Sequence, residues 1–248
     1  MGVFLIIAFV IGGLIAIVSN SNQKKEEERR IENARLAEIR RKQEEERRRQ
    51  EEIRKQKLER ERAERIVRLS PTFKTDWQNF QRVLQERGIT KLYHFTDIEN
   101  LQSIKANGGL CSWHYCERNN IGISRPGGTR LSRNLDSYKG LENYVRLSFI
   151  SDHPMMYVAE KEGRIKFPVV LTISTEVIFK KDTKFTHQNA TRSGVTAFNS
   201  FEQFNSIRFD LFRKRYFDLD EIQKSYYQAE ILVLDKIPLE FITNIDRF

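Results

Sequence analysis

From Lys24 to about Arg68 the chain is almost entirely Glu, Arg, Lys and Gln, with no Pro or Gly. Such a stretch cannot bury a core, so it must be a solvated helix or disordered. The absence of helix breakers argues for helix. Opposite charges fall at helical spacing, as in Glu26 with Arg30, Glu44 with Arg48, Glu45 with Arg49 and Glu61 with Arg65. Each such pair contributes about 0.2–0.5 kcal/mol. A continuous coiled coil would need apolar residues in every heptad. None occurs from Arg40 to Glu52. A single charged helix is therefore the first expectation and a weak dimeric coil the second. At about 1.5 Å per residue it reaches on the order of 65 Å. Ser70-Pro71 ends it.

Before this helix, Val3 to Val18 is unbroken apolar sequence containing Gly12-Gly13. No Lys or Arg precedes it, and Ile-Ala-Ile-Val-Ser is a poor cleavage site, so a retained anchor is expected over a signal peptide. Lys24, Lys25, Arg29 and Arg30 follow, which places the C-terminal side in the cytoplasm of a single-pass cell-membrane protein. The expected organisation is an anchor over residues 1–20, a charged helix or coiled coil over 21–70 and a globular domain over 72–248. The formal net charge of +9 over 248 residues favours polyanionic partners. Cys111 and Cys116 are too few for a disulfide framework. Cys111-Ser-Trp-His114-Tyr-Cys116 resembles half of a zinc site, but no second ligand pair follows, so no metal is expected.

Within the domain, Thr75 to Arg87 has helical spacing, closed by Gly88, and Lys91 to Thr96 reads as a strand. Asp97 caps a helix that ends at Asn107-Gly108-Gly109. Ile121 to Lys139 is a loop by composition. Tyr144 to Ile150, Phe167 to Ser174 and Glu176 to Phe179 read as strands, with a helical turn at His153 to Glu160. Phe201 to Phe212 suggests an amphipathic helix. Glu230 opens the run Ile231-Leu232-Val233-Leu234, a strand buried on both faces. The class is α+β. A carboxylate at the mouth of a buried strand either faces water or is used chemically.

Tyr93-His94-Phe95-Thr96, the loop arginines Arg125, Arg130 and Arg133, Tyr144 and Glu230 form a set suited to a dinucleotide. Imidazole and phenol stack and hydrogen-bond, guanidinium meets pyrophosphate, and a carboxylate steadies positive charge at a sugar C1. Arg192, Arg208, Arg213, Lys214 and Arg215 lie among Phe198, Phe201, Phe204 and Phe209. These phenylalanines either stack on single-stranded bases or form core.

Tyr93 to Ile104 with Gly108-Gly109-Leu110, Pro126-Gly127-Gly128, Leu141 to Phe149, His153 to Tyr157 and Gln228 to Val233 together resemble the DarT family of DNA ADP-ribosyltransferase toxins. The resemblance implies an ADP-ribosyltransferase fold, a split mixed β-sheet pair, with NAD as consumed substrate and single-stranded DNA as acceptor. It implies NAD contacts from His94, Phe95, Thr96 and Ser103, beside the Tyr144 contact read from residue chemistry, and makes Glu230 the catalytic glutamate. The family's loop arginine, which contacts NAD and acts on the target base, fits Arg133 best, with Arg125 and Arg130 as alternatives. Arginine stays protonated near neutrality, so its role is electrostatic. Thr183 to Gln228 would recognise the DNA. A toxin or phage-defence role implies an antitoxin of the ADP-ribose hydrolase or macrodomain type. Arg146-Leu147-Ser148 departs from the family's Pro-Phe-Tyr and leaves thymine or guanine open as the target. A protein acceptor at the membrane and a non-catalytic nucleic-acid binder are the competing functions.

Overall fold

The computed structural model describes the backbone of residues 2–248 and the side chains of residues 25–27 and 29–248. It divides into two units, residues 1–68 and 69–248.

The first unit lies within one helix, α1 (Gly2–Leu69). Every described side chain from 29 to 64 is exposed, as the charge run requires. Glu26 pairs with Arg30 and Glu44 with Arg48, as spaced in the sequence, while Arg41 also meets Glu45 and Lys57 meets Glu61. The side chains of the apolar run fall outside the described residues, and so does the anchor expected over 1–20. Among the described residues no helix is long and apolar enough to cross a membrane.

The second unit runs α2 (Trp77–Glu86), β1 (Lys91–Asp97), α3 (Leu101–Ala106), β2 (Gly109–Cys111), α4 (Trp113–Arg118), α5 (Arg130–Tyr138) and β3 (Tyr144–Ser148). It continues with α6 (Pro154–Lys161), β4 (Pro168–Ser174), β5 (Lys184–Thr186), α7 (Phe201–Asn205), α8 (Glu221–Tyr227), β6 (Glu230–Leu234) and β7 (Lys236–Pro238). One sheet has the order β4-β1-β3-β6-β5, and β2 pairs with β7 in a second. All the registered pairings are antiparallel. The class is α+β with two sheets, as expected, but their registered pairings are antiparallel rather than mixed.

Local chemistry explains most boundaries. Asp97 accepts from the backbone N–H of Glu99 at 2.9 Å, the cap expected of it, and also from Lys166 at 2.6 Å and Phe167 at 3.1 Å. Burial pushes its carboxyl up, but these N–H groups and the charge of Arg125 leave it below the usual range. Gly88 and Gly108 both stand at φ +66°, where a side chain would be strained. β6 is buried from Glu230 to Val233, so the strand covered on both faces is present.

Three local expectations need correction. Ile121–Lys139 is not all loop: Arg130–Tyr138 is helical, with the Thr129 hydroxyl accepting from Ser132 N. The glycines upstream dominated the composition and hid that cap. Glu176 to Phe179 is not a strand but part of a 3-10 turn over Thr175–Phe179, started by the Ser174 side chain. The helix expected over Phe201–Phe212 stops at Asn205 and gives way to a 3-10 turn over Phe209–Arg213. A continuous helix would turn positions five apart to different faces. The break lets Phe204 and Phe209 both bury, with ring centroids 5.5 Å apart.

That break also decides between the two readings of the phenylalanines. Phe198, Phe204 and Phe209 are core, and Phe201 packs edge-on against buried Phe80 at 5.4 Å. They are not a platform for stacked bases.

Candidate active-site cleft

The site arises where the large sheet comes apart. β1 runs beside β4 over seven residue pairs, and β3 beside β6 over five. Between β1 and β3 the register is Tyr93↔Ser148 alone. The strands splay on one side of that pair and open a cleft of about 750 Å³. This lies in the usual range for a nucleotide-sized ligand. His94, Phe95, Thr96 and Ser103 line it from one side, and Tyr144 and Glu230 from the other. Arg125, Arg130 and Arg133 line it from the segment between α4 and β3. The residues singled out in the sequence are therefore neighbours around one cavity.

Glu230 does not face water. It is 6% exposed, which excludes the solvent-facing reading. Its Oε2 accepts from Arg146 Nη1 at 2.5 Å and from the backbone N–H of Ala190 at 2.8 Å. Arg146 Nη2 also donates to Asp136 of α5. Burial alone would lower the arginine's pKa; Glu230 first and Asp136 second carry it above the usual value. Asp136 is pushed up by burial, and the nearby Arg146 offsets only part of that. A buried ion cluster of this kind is a weak source of net stability, and its firm contribution is geometry.

His94 sits on the far side of the split. Its Nδ1 lies 2.9 Å from the backbone carbonyl of Arg146. A carbonyl only accepts, so Nδ1 carries the proton. Burial lowers the pKa of the ring, with that hydrogen bond opposing it, so the imidazole is neutral. Phe95 stacks on His153, centroids 5.8 Å apart. Thr96 is held by Asn100, whose Nδ2 donates to the threonine Oγ1 at 3.0 Å and to the carbonyl of Arg125 at 2.8 Å. Asn100 Oδ1 accepts from Arg125 N at 2.9 Å.

The three arginines are not equivalent. Arg125 pairs with Glu99 at 3.2 Å. Arg130 is the exposed first residue of α5. Arg133 lies over the ring of Trp113 at 4.2 Å and donates to the Gly128 carbonyl at 2.9 Å. It sits on a helix rather than a loop. Ser103 Oγ donates to the Gly122 carbonyl at 3.1 Å, and Lys184 lies over the Tyr144 ring at 5.0 Å.

Sequence reasoning missed Arg146, Asp136, Asn100, His153 and Trp113 as members of this site. Arg146 had a usable signal. On β3, Val145 and Leu147 are buried in the core while Tyr144 and Arg146 are not, so strand alternation puts Arg146 on the Tyr144 face. Asp136 and Trp113 had none, because they reach the cleft from helices whose placement is tertiary. Among the described residues no cluster of three or more His, Cys, Asp or Glu is arranged to hold a metal.

The family described as "ssDNA thymidine ADP-ribosyltransferase, DarT" matches residues 93–247. Among solved structures, Thermus sp. 2.9 DarT in complex with ADP-ribosylated ssDNA is similar, at 20% identity and a TM-score of 0.51, over 62% of this chain and 79% of that one. Thermus sp. 2.9 DarT in complex with NAD+ gives 21% identity and 0.49, with the same shares covered. Thermosipho africanus DarTG in complex with ADP-ribose gives 20% and 0.49, over 62% of this chain and 42% of that one. No curated protein matches. The strand order, the cleft at the split and a family match spanning the cleft's residues agree, and the chain belongs to the DarT family of ADP-ribosyltransferases.

Proposed function

We propose that the cleft binds NAD and transfers its ADP-ribose to thymine in single-stranded DNA, and that the protein acts as a membrane-held toxin or phage-defence effector. The observation that carries this is the joining of His94 and Glu230 at one cleft, through Arg146. NAD fits the donor set: a neutral imidazole, a stacked aromatic pair, cleft-lining arginines and one buried carboxylate. When bound, it supplies an N-glycosidic bond whose breaking leaves positive charge at the ribose C1.

Glu230 presents fixed negative charge for that moment and can accept from a ribose hydroxyl. His94, with Nδ1–H committed to Arg146, offers its Nε2 lone pair and its ring face. Phe95 and Thr96 line the same edge, and Ser103 and Tyr144 would add contacts at the cleft's flanks. Arg133, held on Trp113, supplies positive charge toward phosphate or the target base. The family's description supports thymine over guanine. The net charge of +9 supports a polyanionic acceptor.

The test is transfer of labelled ADP-ribose to a thymine-containing oligonucleotide, with nicotinamide release measured in parallel. Glu230→Ala should abolish both while leaving the fold intact. Label on a protein instead of the oligonucleotide would favour a protein acceptor. Salt-sensitive DNA binding without nicotinamide release would favour a non-catalytic binder. The apolar run from Val3 to Val18 supports the anchor. Ile11→Arg should then move the protein from the membrane to the soluble fraction. An ADP-ribose hydrolase of the macrodomain type would be the fitting antitoxin, and its co-expression should relieve growth arrest.

A further inference from the structure

We propose that Arg146 is a positioning residue that aims the Glu230 carboxylate and, through Asp136, fastens the arginine-bearing helix α5 to the same point. This rests on Glu230 being the catalytic carboxylate.

Three observations carry it. The first is register. Arg146 stands opposite Leu232 on β6, and Glu230 is two residues along the same face. A long side chain reaches that diagonal position. Arg146 Nη1 and the backbone N–H of Ala190 both end on Oε2. Oε1 is then the oxygen left to meet a ligand hydroxyl, and its direction is set by two donors.

The second is how α5 is held. No residue of α5 is fully buried, and its main packing contact is Arg133 on the ring of Trp113, so apolar burial anchors it only weakly. Two of its polar ties reach the rest of the sheet and the following loop: Asp136 to Arg146 and, at its C-cap, the ammonium of Lys139. That ammonium donates to the carbonyls of Ala190 and Arg192, each at 2.6 Å, and of Val195 at 3.2 Å.

The third is that these ties close a circuit. Lys139 holds the Ala190 carbonyl, the Ala190 N–H holds Glu230, Glu230 holds Arg146, and Arg146 holds Asp136 on α5 again. Ala190 of this circuit packs with buried Leu141 and Leu232. Moving α5 therefore strains the aim of Glu230, and losing Arg146 releases both. Since α5 also carries Arg133, Glu230 and Arg133, which both line the cleft, share one support.

The experiment compares Arg146→Ala, Arg146→Lys and Asp136→Asn with the parent protein. It measures nicotinamide release, affinity for a non-hydrolysable NAD analogue and amide hydrogen exchange over 130–138. Arg146→Ala should lower kcat about 100-fold, the usual scale for a misplaced catalytic group. Arg146→Lys, with one compact charge, should recover kcat to within about 10-fold of the parent. Asp136→Asn keeps the Arg146–Glu230 bond, so kcat should stay within about 3-fold while KM and the analogue's Kd rise about 10-fold. Exchange over α5 should quicken in both Arg146→Ala and Asp136→Asn. If Arg146→Ala does not fold, the contrast between Arg146→Lys and Asp136→Asn carries the test. Should Arg146→Ala leave kcat and α5 exchange at parental values, or, where that variant does not fold, should Asp136→Asn leave KM, the analogue's Kd and α5 exchange at parental values, the proposal is overturned. An Arg146→Ala protein that only loses thermal stability, with kcat intact in the folded fraction, overturns it equally. Glu230→Gln is the separate control: if it still releases nicotinamide, the reading of the cleft fails, whatever Arg146 does.

Discussion

His94 and Glu230, from the first and sixth strands, are joined through one residue. The backbone carbonyl of Arg146 accepts the imidazole Nδ1–H at 2.9 Å, and its guanidinium donates to the carboxylate at 2.5 Å. Backbone and side chain of a single strand position thus span the split in the sheet.

The imidazole's place in that bridge can be tested. His94→Ala removes both the ring in the cleft and the hydrogen bond to Arg146. KM for NAD should rise about 10- to 100-fold, the equivalent of one or two lost hydrogen bonds near a charge. His94→Asn keeps a donor of similar reach and should lose less. Steady-state nicotinamide release across NAD concentrations separates the two.

Asn100 should matter more than its position suggests. It is buried, and its amide satisfies Thr96 Oγ1 and both backbone groups of Arg125. Asn100→Ala leaves Arg125 N–H and C=O without those partners, which costs about 1–3 kcal/mol. Urea unfolding should show that loss, together with weaker binding of NAD as the loop after Ile121 loosens.

Stability should depend on acid pH through His153. Burial holds its folded pKa down at about 4, against 6.5 for the free group. The unfolded chain therefore takes up the proton first as pH falls. The stabilisation is complete above pH 6.5 and is lost between pH 6.5 and about 4, amounting to about 3 kcal/mol. His94 is shifted in the same direction and adds to the slope. His153 Nδ1 also accepts from Met155 N at 3.2 Å to cap α6. His153→Asn retains a capping acceptor and should flatten the profile. Urea midpoints at pH 7 and pH 4.5 give the comparison.

Two phenylalanines should behave in opposite ways. Phe204 is fully buried, with ring centroids 4.7 Å from Phe185 and 4.9 Å from Phe80. Phe204→Ala should cost about 3–5 kcal/mol. Phe217 is 93% exposed, and Phe217→Ala should stay within about 0.5 kcal/mol. Thermal melting of both variants is the check.

Much of this molecule was legible before its coordinates. The helix from the charge run, the β1 strand with the Asp97 cap and the doubly buried β6 follow from local rules: charge spacing, side-chain capping and unbroken apolar runs. Glu230, His94 and Arg133 could be nominated because their chemistry suits a dinucleotide and their motifs resemble a family. What local rules could not supply was contact across distance. Whether Phe204 faced core or nucleic acid depended on a helix break that burial enforces. The helical state of Arg130–Tyr138 hid behind neighbouring glycines. Arg146 read as a departure from a motif, not as the partner of Glu230, because a diagonal pairing exists only once β3 and β6 are set in register. Sequence determined which groups were available and where most of the helices and strands would form, since propensity and capping act over a few residues. Tertiary structure decided which groups share a cleft, since strand register and burial bring together residues that local spacing keeps far apart.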